Sequence, residues 1–172
     1  MKKFWLFLLL TGLFLSHAYA ETLEVAPGGL TLTEAVRQAE AGDLIRIAAG
    51  VYSEETETFP IVIDKPVTLM GEDGALLDSP RFQTLIRVIS DDVTIGNLRF
   101  GVRKWGIVAA QSSRLTLENC SFYLADAECR TSSAAMWMEA MRSCLLLNCY
   151  FSGLCVCVAG DPLSESSSGK PV

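Results

Sequence analysis

Three stretches of the chain repeat one eight-residue pattern: VTIGNLRF at 93–100, LTLENCSF at 115–122 and CLLLNCYF at 144–151. Each begins with β-forming apolar residues and continues with Asn, then Leu or Cys, any residue, and Phe. A degenerate copy, VTLMG, occupies 67–71. A period of about 20–30 residues, built from short strands with no helix between them, is typical of a β-solenoid.

The repeat predicts columns of like side chains, because stacked coils bring equivalent positions to about 4.8 Å from one another. The phenylalanines are expected to form an internal aromatic stack and the asparagines a ladder at a bend, with each amide bonded to the coils above and below. A second inward column holds Leu98, Cys120 and Cys149. The predicted structural ladder is Asn97, Asn119 and Asn148, with Phe100, Phe122 and Phe151.

Other short strands separate the repeats, and residues 31–41 have the apolar spacing of an amphipathic helix. We therefore predict an all-β fold, a right-handed single-stranded parallel β-helix of about four coils with an N-terminal capping helix. The expected organisation is a signal peptide at 1–20, the cap and first coil at 21–71, further coils at 72–160 and a disordered polar tail at 161–172.

The first twenty residues have the features of a cleaved signal peptide. Lys2 and Lys3 precede an apolar stretch from Phe4 to Leu15, and Ala18-Tyr19-Ala20 is a small-x-small cleavage pattern. The apolar stretch is too short to span a bilayer core of about 30 Å. We expect a secreted or periplasmic protein with no membrane span after cleavage.

Composition argues against several classes of function. The net charge is −6 and becomes more negative once Lys2 and Lys3 are removed, so nucleic acid is not an expected partner. The single histidine, His17, lies in the leader. The exported part therefore lacks imidazole for Ser-His-Asp, Cys-His or histidine-based metal sites, and we predict no metal and no cofactor.

All six cysteines lie in the last third of the chain. An even number in an exported protein permits disulfides, and Cys120 and Cys149 share a predicted column in which a bridge would fit. Buried thiols fill such a column equally well, so both alternatives stay open. Zinc spacing is absent, and Cys155-x-Cys157 is the closest pair.

The stretch from Thr31 to Asp78 resembles the opening of right-handed parallel β-helix proteins of the carbohydrate-binding and sugar-hydrolase type, which are pectin-lyase-like. The matching segments are LTEAV at 32–36, AGDLIRI at 41–47, GVY at 50–52 and VTLMG at 67–71. In that superfamily the helix closes the N-terminal end of the solenoid. The resemblance implies kinship with pectin-degrading enzymes, alginate-type epimerases and a periplasmic accessory protein for copper maturation. The aspartate segments of pectin methylesterases and the later, calcium-binding coils of pectate lyases are missing.

Arg87, Trp105, Trp137 and Glu139 are the candidate ligand-binding residues, since tryptophan rings stack on sugars and the two charged residues fall on predicted strands. No catalytic residue is assigned. The acidic pairs Glu72-Asp73 and Asp91-Asp92 are predicted at turns, where acids are ordinarily solvated. Several sulfur-containing residues have the chemistry of copper(I) ligands but are also common core residues; they are Met136, Met138, Met141, Cys155 and Cys157.

Three functions follow as hypotheses. The first is a non-catalytic exported β-helix protein that binds polysaccharide or acts as a scaffold for a cell-envelope component. The second is a polysaccharide lyase, hydrolase or epimerase, or a fragment of one, and the third is a copper-maturation accessory protein. The lack of histidine and the few coils favour the first. The absence of an evident C-terminal cap predicts either a truncated chain or association through the uncapped last coil.

Overall fold

The computed structural model describes residues 20–81, 83–110, 114–126 and 133–159. Within these residues the chain forms one short helix and a series of short strands. In chain order these are β1 (Thr22–Val25), α1 (Leu32–Gln38), β2 (Leu44–Ile47), β3 (Gly50–Tyr52), β4 (Ile61–Ile63), β5 (Thr68–Gly71), β6 (Ala75–Asp78), β7 (Thr84–Val88), β8 (Val93–Gly96), β9 (Arg99–Val102), β10 (Trp105–Ala110), β11 (Arg114–Glu118), β12 (Ser121–Leu124), β13 (Ala134–Glu139), β14 (Ser143–Leu147), β15 (Tyr150–Ser152) and β16 (Cys155–Ala159).

The strands form three parallel sheets, and each turn of the chain contributes one strand to each sheet. Sheet A has the order β1-β2-β5-β8-β11-β14, sheet B the order β3-β6-β9-β12-β15, and sheet C the order β4-β7-β10-β13-β16. The predicted parallel β-solenoid is confirmed. It has about five turns rather than the predicted four. The turn that contains β2, β3 and β4 was not counted, because it has no Asn-x-x-Phe copy.

The repeats stack in register, so equivalent side chains lie over one another. Phe122 pairs with Phe100 on one side and with Phe151 on the other. The rings of Phe100 and Phe122 stack with centroids 4.5 Å apart, and those of Phe122 and Phe151 stack at 5.2 Å. Full burial of such a side chain stabilises the fold by roughly 1.5–3 kcal/mol, so the aromatic column is a main part of the core.

The asparagines stand where sheet A turns into sheet B. Asn97, Asn119 and Asn148 have φ values of 55°, 52° and 51°, a left-handed conformation that Asn adopts more readily than most residues. Asn119 Nδ2 donates to Asn97 Oδ1 at 3.1 Å, and Asn148 Nδ2 donates to Asn119 Oδ1 at 3.3 Å. The residue type therefore serves both the bend and the contact between turns.

Helix α1 closes the N-terminal end. Its Leu32, Ala35 and Val36 are buried, and Thr31 forms a capping box with Glu34, an arrangement that satisfies free amides of the first turn. The helix is shorter than the predicted 31–41, because Ala39 is already extended and the Glu40 amide donates to Asp43 Oδ2 at 2.7 Å, which turns the chain into β2.

The C-terminal end is open in the part of the chain that the structure describes. Leu146 continues an inward column yet is 37% exposed, and Val158 is 71% exposed. The predicted leader, apart from Ala20, and the predicted tail at 161–172 lie outside the described residues. No helix among the described residues is long and apolar enough to cross a membrane.

Candidate functional site

The outer face of sheet C brings together the residues predicted to bind a ligand. Val108 in β10 pairs with Arg87 in β7 on one side and with Trp137 in β13 on the other. Glu139 lies two residues beyond Trp137 on the same face and pairs with Ala110. Alternation along the strands therefore collects these side chains on one face across three turns.

Two tryptophans are in contact on this face. The rings of Trp105 and Trp137 lie with centroids 5.9 Å apart and an interplanar angle of 33°. Both side chains are partly exposed, so their rings are open to a ligand. Such a pair offers a broad aromatic surface with little freedom left to lose on binding.

Lys104 adds a cation that the sequence did not reveal as part of the site. Its Nζ lies 4.6 Å from the centroid of the Trp105 ring, which is within the range of a cation–π contact. The signal was its position immediately before Trp105 at the start of β10. With Arg87 and Glu139, both exposed, charged groups of both signs flank the aromatic pair.

The inward face of β7, β10 and β13 is part of the close-packed core and supports the outer face. Ile86, Ile107 and Met136 are fully buried and lie side by side in the register of sheet C. Close-packed interiors resist displacement, so the outer face keeps its shape without a ligand.

A polar cluster fixes the segment just before β10, the strand that begins with Trp105. Arg103 Nη1 contacts Asp78 Oδ1 at 2.5 Å and also donates to the carbonyl oxygen of Ser79. Gln83 Nε2 donates to Glu54 Oε1 at 2.6 Å, and the Ser79 hydroxyl donates to the same oxygen. Because Arg103 immediately precedes Lys104 and Trp105, this cluster fixes the start of β10.

The acidic pairs considered for catalysis lie elsewhere. Glu72, Asp73, Asp91 and Asp92 are all exposed, and the Arg114 guanidinium forms an ion pair with Asp92. Its hydrogen bond lowers the pKa of that carboxyl, so Asp92 stays ionised near neutral pH and is poorly suited to act as a general acid.

A groove of about 260 Å³ opens beside the asparagine ladder. It is lined by Asp73, Gly74, Asn97, Arg99 and Asn119. The two asparagine amides are already bonded to each other, so the ladder itself offers few free groups to a ligand.

The sulfur-containing residues are divided between the inside and the outside. Met136 and Met138 are buried, whereas Cys155 and Cys157 lie on the last strand with their Sγ atoms 3.4 Å apart. Among the described residues, no group of three or more His, Cys, Asp or Glu side chains is placed to hold a metal ion.

Cys120 and Cys149 fall in one column, as the repeat implied, and both are free thiols in the structure. Burial raises the pKa of Cys120 to about 11, which keeps this thiol protonated and unreactive near neutral pH. Cys129 lies outside the described residues.

Comparison with known proteins gives a family. No curated protein matches the sequence. Residues 26–157 match a family described as "Protein of unknown function (DUF1565)", a span that begins just before helix α1 and runs into the last strand of sheet C. The match covers most of the chain and all five turns of a parallel β-helix. The protein therefore belongs to the DUF1565 family.

Proposed function

We propose that this protein is an exported, non-catalytic β-helix protein that binds polysaccharide on the outer face of sheet C. The observation that carries the proposal is the pair of tryptophan rings, 5.9 Å apart, on the same face as Arg87 and Glu139. Aromatic rings contact the apolar faces of sugar rings, while the charged side chains supply donors and acceptors for hydroxyl and carboxylate groups.

The architecture suits an extended ligand better than a small one. The face crosses neighbouring turns at the strand spacing of about 4.8 Å, so it continues along the solenoid from one turn to the next. A linear polymer can make repeated, individually weak contacts along such a surface, whereas a small molecule usually requires a concave site that encloses most of its area.

The leader motif at 1–20 supports an extracytoplasmic location, either secreted or periplasmic. There the protein would meet cell-envelope polysaccharides. A scaffold role for another cell-envelope component uses the same location and the same rigid solenoid, but it does not need the tryptophan pair.

The test is a binding titration of the purified protein against a panel of soluble neutral and acidic polysaccharides by isothermal calorimetry. We expect binding to at least one of them, and we expect Trp105→Ala and Trp137→Ala each to weaken it about tenfold, a loss of about 1.4 kcal/mol. Tyr123→Ala is the matched control, because Tyr123 is a partly exposed aromatic residue on the outer side of sheet B.

Two results would count against the proposal. Unchanged affinity in both tryptophan variants would move the ligand away from sheet C. Absence of binding to every polysaccharide in the panel would remove the carbohydrate ligand and leave the scaffold role alone.

A further inference from the structure

The last turn of the solenoid, 143–159, presents an unpaired edge in the described part of the chain. β14, β15 and β16 each have a hydrogen-bonded neighbour on one side only. Leu146, Val156 and Val158 pair with buried residues of the preceding turn but are themselves 37%, 36% and 71% exposed. An unpaired strand edge beside apolar side chains is a template for pairing with another chain.

This edge lacks the protection that natural sheet edges usually carry. Between Ser143 and Ala159 there is no charged residue and no proline, although charged residues make up 20% of the whole chain. Lys and Pro on an edge ordinarily prevent pairing. A surface that meets its own copy must also avoid placing like charges opposite each other, and an uncharged edge satisfies that condition.

The opposite end of the solenoid is not available for stacking. Helix α1 packs against β1, β2 and β4 and covers the first turn. A head-to-tail filament, in which the last turn of one copy meets the first turn of the next, is therefore blocked. Contact between two last turns remains, and such a contact has two-fold symmetry and closes at a dimer.

The last turn has strand and bend lengths that are symmetric about Phe151. A strand of 5 residues (β14) is followed by the bend Asn148-Cys149, a strand of 3 residues (β15), the bend Gly153-Leu154 and a strand of 5 residues (β16). A two-fold axis at Phe151 places β15 antiparallel to β15 of a second copy. The same axis sets each β14 opposite β16 of the other copy, a strand of equal length.

This register keeps inward residues opposite inward residues. Leu146 comes to lie opposite Val156 of the second copy, and Cys144 opposite Val158, all four being members of inward columns. On the outer face, Leu145 comes opposite Cys157 and Leu147 opposite Cys155. A shift by one residue would set core positions against outer ones.

The backbone at the axis has the orientation that such a pair needs. The amide of Tyr150 donates to the carbonyl oxygen of Cys120 in the preceding turn, at 2.9 Å. Because successive residues of a strand direct their amides to opposite sides, the amide and carbonyl of Phe151 face the open edge. Two copies of Phe151 on the axis can therefore exchange a pair of backbone hydrogen bonds.

We propose that two copies of this chain associate end to end through 143–159, with the two-fold axis at Phe151. The inward columns that end at Leu146, Phe151 and Val156 then run on from one copy into the other. The dimer does not depend on the proposed polysaccharide site.

The register is tested by a cross-link that uses a native cysteine. Leu147→Cys places a thiol opposite Cys155 of the second copy, at a separation that a disulfide can bridge. Mild oxidation should give a covalent dimer joined through residues 147 and 155, identified by mass spectrometry of the peptides, and Cys155→Ser in the same chain should abolish it. Glu118→Cys is the matched control, since Glu118 occupies the same row one turn earlier.

The contact itself is tested by sedimentation of the purified protein over a range of concentrations. We expect a dimer, and we expect Val158→Lys to weaken it about a hundredfold or more, because the new ammonium would be buried against the second copy. Val51→Lys is the control, since Val51 is 56% exposed on β3, at the opposite end of the solenoid. Circular dichroism checks that both variants fold.

Several results would overturn the dimer. These are a monomer at every concentration, a series of larger assemblies without a closed dimer, or cross-linking by the Glu118→Cys control as efficient as by Leu147→Cys. If Val158→Lys fails to fold, the cross-link decides the matter by itself.

Discussion

The two ends of this solenoid differ in how the apolar side chains of the terminal turn are covered. At the N-terminal end, helix α1 lays apolar side chains over the first turn, and the buried Glu57 carboxylate accepts hydrogen bonds from the amides of Leu32 and Thr33. At the C-terminal end of the described chain, the inward columns reach solvent at Leu146 and Val158. One stacking rule therefore builds the interior, whereas closing an end requires separate, non-repeating residues.

The largest expected difference between the ends is in the cost of losing an apolar side chain. Leu32→Ala should lower the free energy of unfolding by about 2–5 kcal/mol, because Leu32 is fully buried and a cavity would remain. Leu146→Ala should cost less, about 1 kcal/mol, since Leu146 is 37% exposed and its loss leaves no enclosed cavity. Urea unfolding at a protein concentration low enough to exclude association measures both, and equal losses would contradict the contrast between the ends.

The asparagine ladder should show a smaller contrast between the middle of the solenoid and its open end. Asn119→Ala should cost about 2–3 kcal/mol, since it combines left-handed strain of about 1–2 kcal/mol with the loss of two amide contacts. Asn148→Ala should cost less, because Asn148 has a ladder contact on one side. Both values come from urea unfolding.

Asn119→Gly separates the two contributions in the ladder. Glycine adopts the left-handed conformation freely, so this variant loses the amide contacts but gains no strain. If Asn119→Gly is as destabilised as Asn119→Ala, the conformational explanation for asparagine at these bends is wrong.

The interior of the fold could be predicted from the sequence because one constraint recurs there. Each Asn-x-x-Phe copy, such as Asn119 with Phe122, has to satisfy a bend, an inter-turn amide contact and an aromatic column at once. The strands of the first turn could not be predicted in this way. GVY at 50–52 has no Asn-x-x-Phe copy, yet it forms β3. Its buried Tyr52 pairs with Leu77, which in turn pairs with Phe100 of the aromatic column.

The candidate site was predictable by residue type but not by geometry. Trp105 and Trp137 could be named, but the repeat spacing does not fix the register of Trp137, because Asn119 and Asn148 are 29 residues apart whereas Asn97 and Asn119 are 22 apart. Ring contact between the tryptophans depends on the pairing of β10 with β13, which no local pattern specifies. Lys104 was missed because its position before Trp105 in the sequence does not determine whether the lysine side chain lies over the ring.

A buried hydroxyl at the closed end allows a smaller test. The Tyr52 hydroxyl donates to the carbonyl oxygen of Ala48 at 2.9 Å. Tyr52→Phe should therefore lower the free energy of unfolding by about 1 kcal/mol. Tyr150→Phe, at the exposed open end, should change it little. The two variants are compared by thermal unfolding, and a larger loss at Tyr150 would reverse the proposed order of the ends.

The smallest expected effect is a pH dependence of the free energy of unfolding, which arises from Glu57 at the closed end. Burial raises the pKa of Glu57 above its ordinary value of 4.5, although the amides of Leu32 and Thr33 oppose the shift. Since the folded state binds this proton more tightly than the unfolded state, the contribution is fully present below pH 4.5 and is lost as the pH rises through the folded-state pKa.

The Glu57→Gln variant lacks this ionisation. As the pH rises from about 4 to about 7, the free energy of unfolding of the variant should therefore fall less than that of the parent protein. Glu55→Gln is the matched control, because Glu55 is exposed two residues away and should leave the pH dependence unchanged. Denaturant titrations at several pH values give the comparison. Parallel curves for the parent protein and Glu57→Gln would mean that the cap holds the carboxylate without cost. The amides of Leu32 and Thr33 would then offset the cost of burying the carboxylate, so that the pKa of Glu57 would be the same in the folded and unfolded states.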